Sequence, residues 1–143
     1  MNRDDTEMLR DIQRNTEMAM QAIDTISDKV YDDDLAVQLS RQALKYSELH
    51  NRALDRILEG KAEPYRTNNL SRMMLVGGIH ANTLLDTSTS HIAELLIQGS
   101  SRGITDMCRS MNHHQNADVT SMEIARELMD FEEKNIERLK KYL

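Results

Sequence analysis

Large aromatic anchors are almost missing from this chain. It has no tryptophan, one phenylalanine (Phe131) and four tyrosines, so its core must be aliphatic, built from Leu, Ile, Ala and the ten Met. Cysteine is reduced to Cys108. A lone cysteine excludes an intrachain disulfide framework, and no CxxC is present to support a cysteine zinc site or thiol redox motif; a reducing, cytoplasmic setting is expected. A single proline (Pro64) and few aromatics favour helices over strands. No window approaches the ~18–20 apolar residues of a membrane span. The opening MNRDDTEMLRDIQ is acidic and lacks the apolar centre of a signal peptide. Basic clusters with interleaved aromatics are also missing, and a net charge of -6 argues against a nucleic-acid partner.

What is present is a folded composition. Apolar residues make up 39% and charged residues 29% of 143 positions, too apolar for a disordered chain and sized for one domain over 1–143. Residues 5–30 carry Leu9, Ile12, Thr16, Ala19, Ile23, Ile26 and Val30 at unbroken 3-4 spacing, the seam of a bundle helix. Thr16 is the polar member, and its hydroxyl is expected to bond back to its own helix. The triplet Asp32, Asp33 and Asp34 caps a second helix over 34–60; an EF-hand calcium loop would need ligands spread over about 12 residues. Leu35, Leu39, Ala43, Tyr46, Ala53 and Ile57 share an arc, His50 falls near its middle, and Gly60 is the stop. KAEPYR (61–66) is the best linker. MNHHQNA (111–117) is the last loop, where His113 and His114 form at most a weak surface metal pair. The final helix is expected over 118–143, opened by Asp118 or by a Thr120–Glu123 capping box.

The stretch from Leu70 to Met111 is the densest apolar region and holds four of the five glycines. As one helix, residues 67–112 would run about 70 Å at ~1.5 Å per residue, against about 40 Å for the first helix. A break is therefore expected at Thr87–Ser90, with Ser88 or Ser90 as the next N-cap. The piece over 67–86 is apolar on both sides, with Leu70, Met73, Met74, Gly77, Ala81, Leu84 and Leu85 against Leu75, Val76 and Ile79. Such a helix is expected to be buried on both faces, either centrally or under a second copy in a homodimer. Over 90–112, Gly99, Ser100 and Gly103 suggest close helix crossing, and His91, Glu94 and Gln98 share the polar face.

Little chemistry is legible. His50 and Glu132 interrupt apolar seams, and a buried carboxylate needs a partner. A His50–Glu132 pair inside the bundle, joined by Tyr46, is the interior candidate. A di-iron centre would need Glu-x-x-His on two helices, and the chain has none, only the reversed His91-Ile-Ala-Glu94. If a metal binds (iron, manganese or zinc), the candidate ligands are His50, Glu132, Tyr46, His91 and Glu94. No cofactor, catalytic residue or specific protein partner is predicted. No nucleophilic triad or phosphate-cradling glycine loop is found.

The strings LLDTSTSHIAELLIQGSSRGITDM and MDFEEKNIERLKKYL resemble a family of small uncharacterised helical proteins from anaerobic Firmicutes, ferritin-like or four-helix-bundle in fold. The resemblance covers most of the chain, best over 73–108 and 118–143. In members of that family SPSH precedes the helix, where this chain has Ser88-Thr89-Ser90-His91, so the proline that would mark the helix start is replaced. The resemblance implies a helical fold and a bacterial cytoplasmic setting, and transfers no catalytic residue. The expected fold is thus an all-α antiparallel four-helix bundle, ferritin-like if the third of five segments is a crossover. The expected function is non-enzymatic, acting through self-association or a partner. The alternatives are a ferritin-like metal or redox protein and a small-molecule binder with a Met-lined pocket.

Overall fold

Each of the five helices begins at a side chain that accepts a hydrogen bond from the backbone N–H three residues on. In the computed structural model, which describes residues 1–143, these caps are Asn2, Asp32, Asn68, Ser88 and Asp118. Each satisfies one of the four N–H groups a helix start leaves free. The helices are α1 (Arg3–Ser27), α2 (Asp33–Glu59), α3 (Asn69–Asn82), α4 (Thr89–His113) and α5 (Val119–Leu139), followed by a short 3-10 turn over Lys140–Tyr142. No strand forms, so the all-α expectation holds. No helix is long and apolar enough to cross a membrane.

The break in the central stretch is present and wider than expected. α3 stops at Asn82 and α4 starts at Thr89 with Ser88 as its cap. At the end of α2 the chain leaves the helix through Lys61, whose φ of 55 makes it the one non-glycine residue at positive φ. Lys61 N donates to the Leu58 carbonyl and Ala62 N to the Ile57 carbonyl, both at 3.0 Å. That is a Schellman closure, with lysine where glycine is preferred.

Hydrogen-bonded pairs define how the elements run. Asp11 meets Ser110 while Asn15 meets Met107, so α1 and α4 are antiparallel. Tyr46 meets Glu132 while Arg56 meets Asp118, so α2 and α5 are antiparallel. The segment after α2 runs beside α1 in the same direction: Arg10 Nε donates to the Glu63 carbonyl, Tyr65 N to Gln13 Oε1 and Thr67 Oγ1 to Glu17 Oε1. The KAEPYR linker is therefore an extended strap tied to α1.

The core lies among α1, α2, α4 and α5. Met8, Leu9, Ile12, Leu35, Leu49, Ile57, Ile92, Met107, Ile124, Leu128 and Leu139 are fully buried. Each such side chain contributes about 1.5–3 kcal/mol on burial. Of the ten methionines only Met8 and Met107 are buried, so the core is one of leucine and isoleucine.

α3 departs most from expectation. It has no buried residue. Leu75, Val76 and Ile79 are half-buried, and α3 packs chiefly on α1, while Leu70, Met73 and Met74 are exposed. Leu84 and Leu85 lie beyond its end and are also exposed. At ~1.5 Å per residue its 14 residues span about 21 Å, too few to cover both sides of an apolar surface. Gly77 and Gly78 do not serve a close approach within the chain, because a Cβ at either would meet nothing within 4 Å.

Candidate functional site

Glu132 sits in the apolar seam of α5 and is 5% exposed. Its partners come from three helices. Tyr46 of α2 donates its hydroxyl proton to Glu132 Oε1 in a short hydrogen bond. Ser100 of α4 donates to the same oxygen at 3.3 Å, as does Asn135, one turn along α5, also at 3.3 Å. Asn135 Nδ2 further donates to the Tyr46 oxygen at 3.1 Å. Phe131 packs edge-on against Tyr46, with centroids 5.1 Å apart and ring planes at 76°, which fixes the phenol from the side.

The two carboxylate oxygens are unequal. Oε1 accepts all three hydrogen bonds, whereas Oε2 accepts none and lies against the backbone of Gly103. A Cβ at position 103 would stand 2.5 Å from Oε2. Gly103 is therefore the space the carboxyl needs, and the close-approach reading of the α4 glycines is specific to this one. At Gly99 a Cβ would meet nothing within 4 Å.

Burial pushes the Glu132 carboxyl up to about 7, against the donors from Tyr46, Asn135 and Ser100, which favour the ionised form. Burial, and then the neighbouring Glu132 charge, raises the Tyr46 phenol well above its ordinary range. Around neutral pH, Glu132 thus changes charge while Tyr46 remains a donor.

A cavity of about 140 Å³ adjoins this cluster. Met18, Ala19 and Ile23 of α1, Leu75 of α3 and Leu95 and Leu96 of α4 supply its apolar wall. Glu132, Tyr46, Ser100 and Gln42 supply its polar part, and Asn15, Arg102 and Asp106 complete the lining. Gln42 is 4% exposed, makes no hydrogen bond, and leaves Nε2 buried without a partner. A buried amide without partners costs about 1–3 kcal/mol.

The residues considered as metal ligands separate into three places. Tyr46 and Glu132 come together, as described. The expected His50–Glu132 pair is not formed: His50 Nδ1 lies 3.1 Å from Thr16 Oγ1, whose own proton goes to the Ile12 carbonyl at 2.8 Å. The Thr16 back-bond is the one expected, and it supplies the acceptor His50 uses. His91 and Glu94 share the surface of α4, with Nδ1 and Oε2 3.7 Å apart. His91 Nε2 lies 2.8 Å from the carbonyl of Asn82, where it ties the end of α3 to α4. No group of three His, Cys, Asp or Glu gathers anywhere in a geometry that holds a metal ion.

Four contributors to the site were not singled out by sequence. Asn135 and Gln42 look like ordinary polar helix positions, although Asn135 falls one turn from the buried Glu132, a signal that was available. Ser100 and Gly103 read in the sequence as small residues that permit close helix crossing. Compared with family models, curated proteins and solved structures, the chain finds no match.

Proposed function

We propose that the protein is a non-enzymatic helical bundle that binds a small molecule in the cavity beside Glu132. One observation carries this reading: an apolar cavity of about 140 Å³ adjoins a buried carboxyl and an amide whose hydrogen-bonding capacity is unused. Ligand sites have this composition, an apolar wall with a few converging polar groups. The volume is close to that of the ~150 Å³ cavity that accepts benzene in another protein. The wall holds one methionine, Met18, so the pocket is aliphatic rather than Met-lined.

The helix directions support a four-helix bundle with a ferritin-like crossover as the frame. With α1 antiparallel to α4 and the strap and α3 running along α1, α2 and α4 point the same way. Kinship with the small helical proteins of anaerobic Firmicutes, and a cytoplasmic setting, belong to the same proposal, supported by the quoted strings and the lone Cys108.

The test is two-dimensional NMR of the purified chain against compounds of up to about nine heavy atoms. Binding compounds should shift the Gln42, Ser100 and Glu132 signals, and Gly99→Leu, which adds bulk at the cavity wall, should abolish those shifts. A screen that moves none of the three signals refutes the reading.

A second reading rests on a different observation. Leu70, Met73 and Met74 form an exposed apolar side on α3, and Gly77 and Gly78 leave open room beside it. Such a side supports self-association as a homodimer through α3. Sedimentation should then show a dimer that Met73→Lys with Met74→Lys converts to monomer; a monomer at high concentration in the parent chain rejects it.

A further inference from the structure

We propose that the ligand of the Glu132 cavity is a small organic cation, a primary amine with a compact apolar body, whose ammonium pairs with Glu132. This rests on the small-molecule reading above and adds the chemical class.

Glu132 forms no ion pair with any Lys, Arg or His. Three donors converge on Oε1, so the protein supplies hydrogen bonds to the carboxylate but no counter-charge. A buried charge is stable when paired. The unpaired oxygen, Oε2, is where an ammonium would donate. Of the packed elements, α1 lends the cavity only the neutral Asn15 among polar groups, α2 lends Gln42 and Tyr46, and α3 lends Leu75. α4 adds Ser100 and two charged residues: Arg102, which is exposed, and Asp106, which pairs with Arg109 at 3.3 Å. Arg102 is thus the one cation on the cavity wall, and it forms no ion pair with Glu132.

Gln42 supports the same class. An ammonium carries three donors and no acceptor, so it needs more than one acceptor to lose its water. The Gln42 amide makes no hydrogen bond, and turning it end over end presents its carbonyl. A neutral alcohol would also bond Oε2, but would leave the carboxylate charge unbalanced. The chain's net charge of -6 further favours a cation over an anion.

The experiment compares benzylamine, benzyl alcohol and toluene by calorimetry and NMR on the parent chain, Glu132→Gln and Gly99→Leu. At pH 8 benzylamine should bind at least about tenfold tighter than benzyl alcohol, as expected for a desolvated charge pair. The preference should shrink toward parity at pH 5 and vanish in Glu132→Gln. Near pH 7, amine binding should release protons, seen as a dependence of the heat on the buffer. Benzyl alcohol and toluene binding as well as benzylamine would overturn the amine assignment while leaving the cavity reading standing. If none of the three binds the parent chain, or if Gly99→Leu binds them all unchanged, the cavity reading falls with it.

Discussion

Replacing Glu132 by glutamine should make the protein more stable as pH rises, relative to the parent chain. The sign follows from where the proton resides. An unfolded glutamate ionises near 4.5, and in the fold burial holds the group protonated up to about 7. Between those values the folded state binds more protons than the unfolded state, so parent stability falls as pH rises through that window. At ~1.4 kcal/mol per pH unit, the full displacement corresponds to about 3 kcal/mol, a large part of the ~5–15 kcal/mol that holds a domain together. Because Glu132 is 5% exposed, solvent screening removes little of this. Glutamine keeps the shape and a carbonyl for the donors of Tyr46, Ser100 and Asn135, and carries no proton to lose. Urea unfolding followed by circular dichroism at pH 4, 5, 6, 7 and 8 gives the difference between the two chains, in which the titrations of other carboxylates largely cancel. That difference should favour Glu132→Gln progressively from pH 4.5 to 7, reach up to about 3 kcal/mol, and level off above. A difference independent of pH, or one that grows in favour of the parent chain, refutes the account of Glu132.

Three further outcomes test other parts of the structure. Tyr46→Phe removes the strongest donor to Oε1 and the acceptor of Asn135; it should cost about 1–3 kcal/mol and move the Glu132 titration, followed by NMR, above 7. The α4 glycines should respond oppositely in thermal unfolding: Gly103→Ala loses about 1–3 kcal/mol because its Cβ meets Oε2, while Gly99→Ala, with open space, gains up to about 1 kcal/mol of helix propensity. Lys61→Gly should raise stability by about 1 kcal/mol by relieving the positive φ at the end of α2, and Lys61→Ala should not reproduce the gain.

The helices were legible because their signals are local. Period 3.6 in the seams, Asp32 and Asp118 before their helices and Ser88 after a polar run are all read within one or two turns. Glu132 was legible for the same reason: a carboxylate in an apolar seam is an anomaly wherever its helix packs. Its partner was not. Tyr46 and His50 lie one turn apart on the same arc of α2, about 6 Å along the axis at ~1.5 Å per residue, and the register against α5 decides which of them meets Glu132. That register is set by packing between residues distant in sequence and is marked by pairs such as Arg56 with Asp118, which no local pattern records. α3 failed differently. Apolar residues on both sides indicate burial only if something covers them, and the size and placement of a 14-residue helix beside α1 leave Met73 and Met74 uncovered.

Several unfavourable features of this fold gather in one place. An ionisable group with a raised pKa, an amide without hydrogen bonds, and two mid-helix glycines all line one space of about 140 Å³. Gly103 has a structural explanation, since the Glu132 carboxyl occupies the position of its absent side chain. Gly99 has none: alanine would fit there and favour the helix. Gln42 has none either, because an aliphatic residue at that buried position would avoid an unpaired amide. A buried polar network adopted only for helix register would be expected to satisfy every member, as half-satisfied networks are worse than an apolar core. Oε1 of Glu132 meets that standard; Oε2, Gln42 and the buried Asn135 Oδ1 do not. Glu132 and Gln42 both line the cavity, and a bound cation is a single addition that would serve Oε2 and the Gln42 amide together.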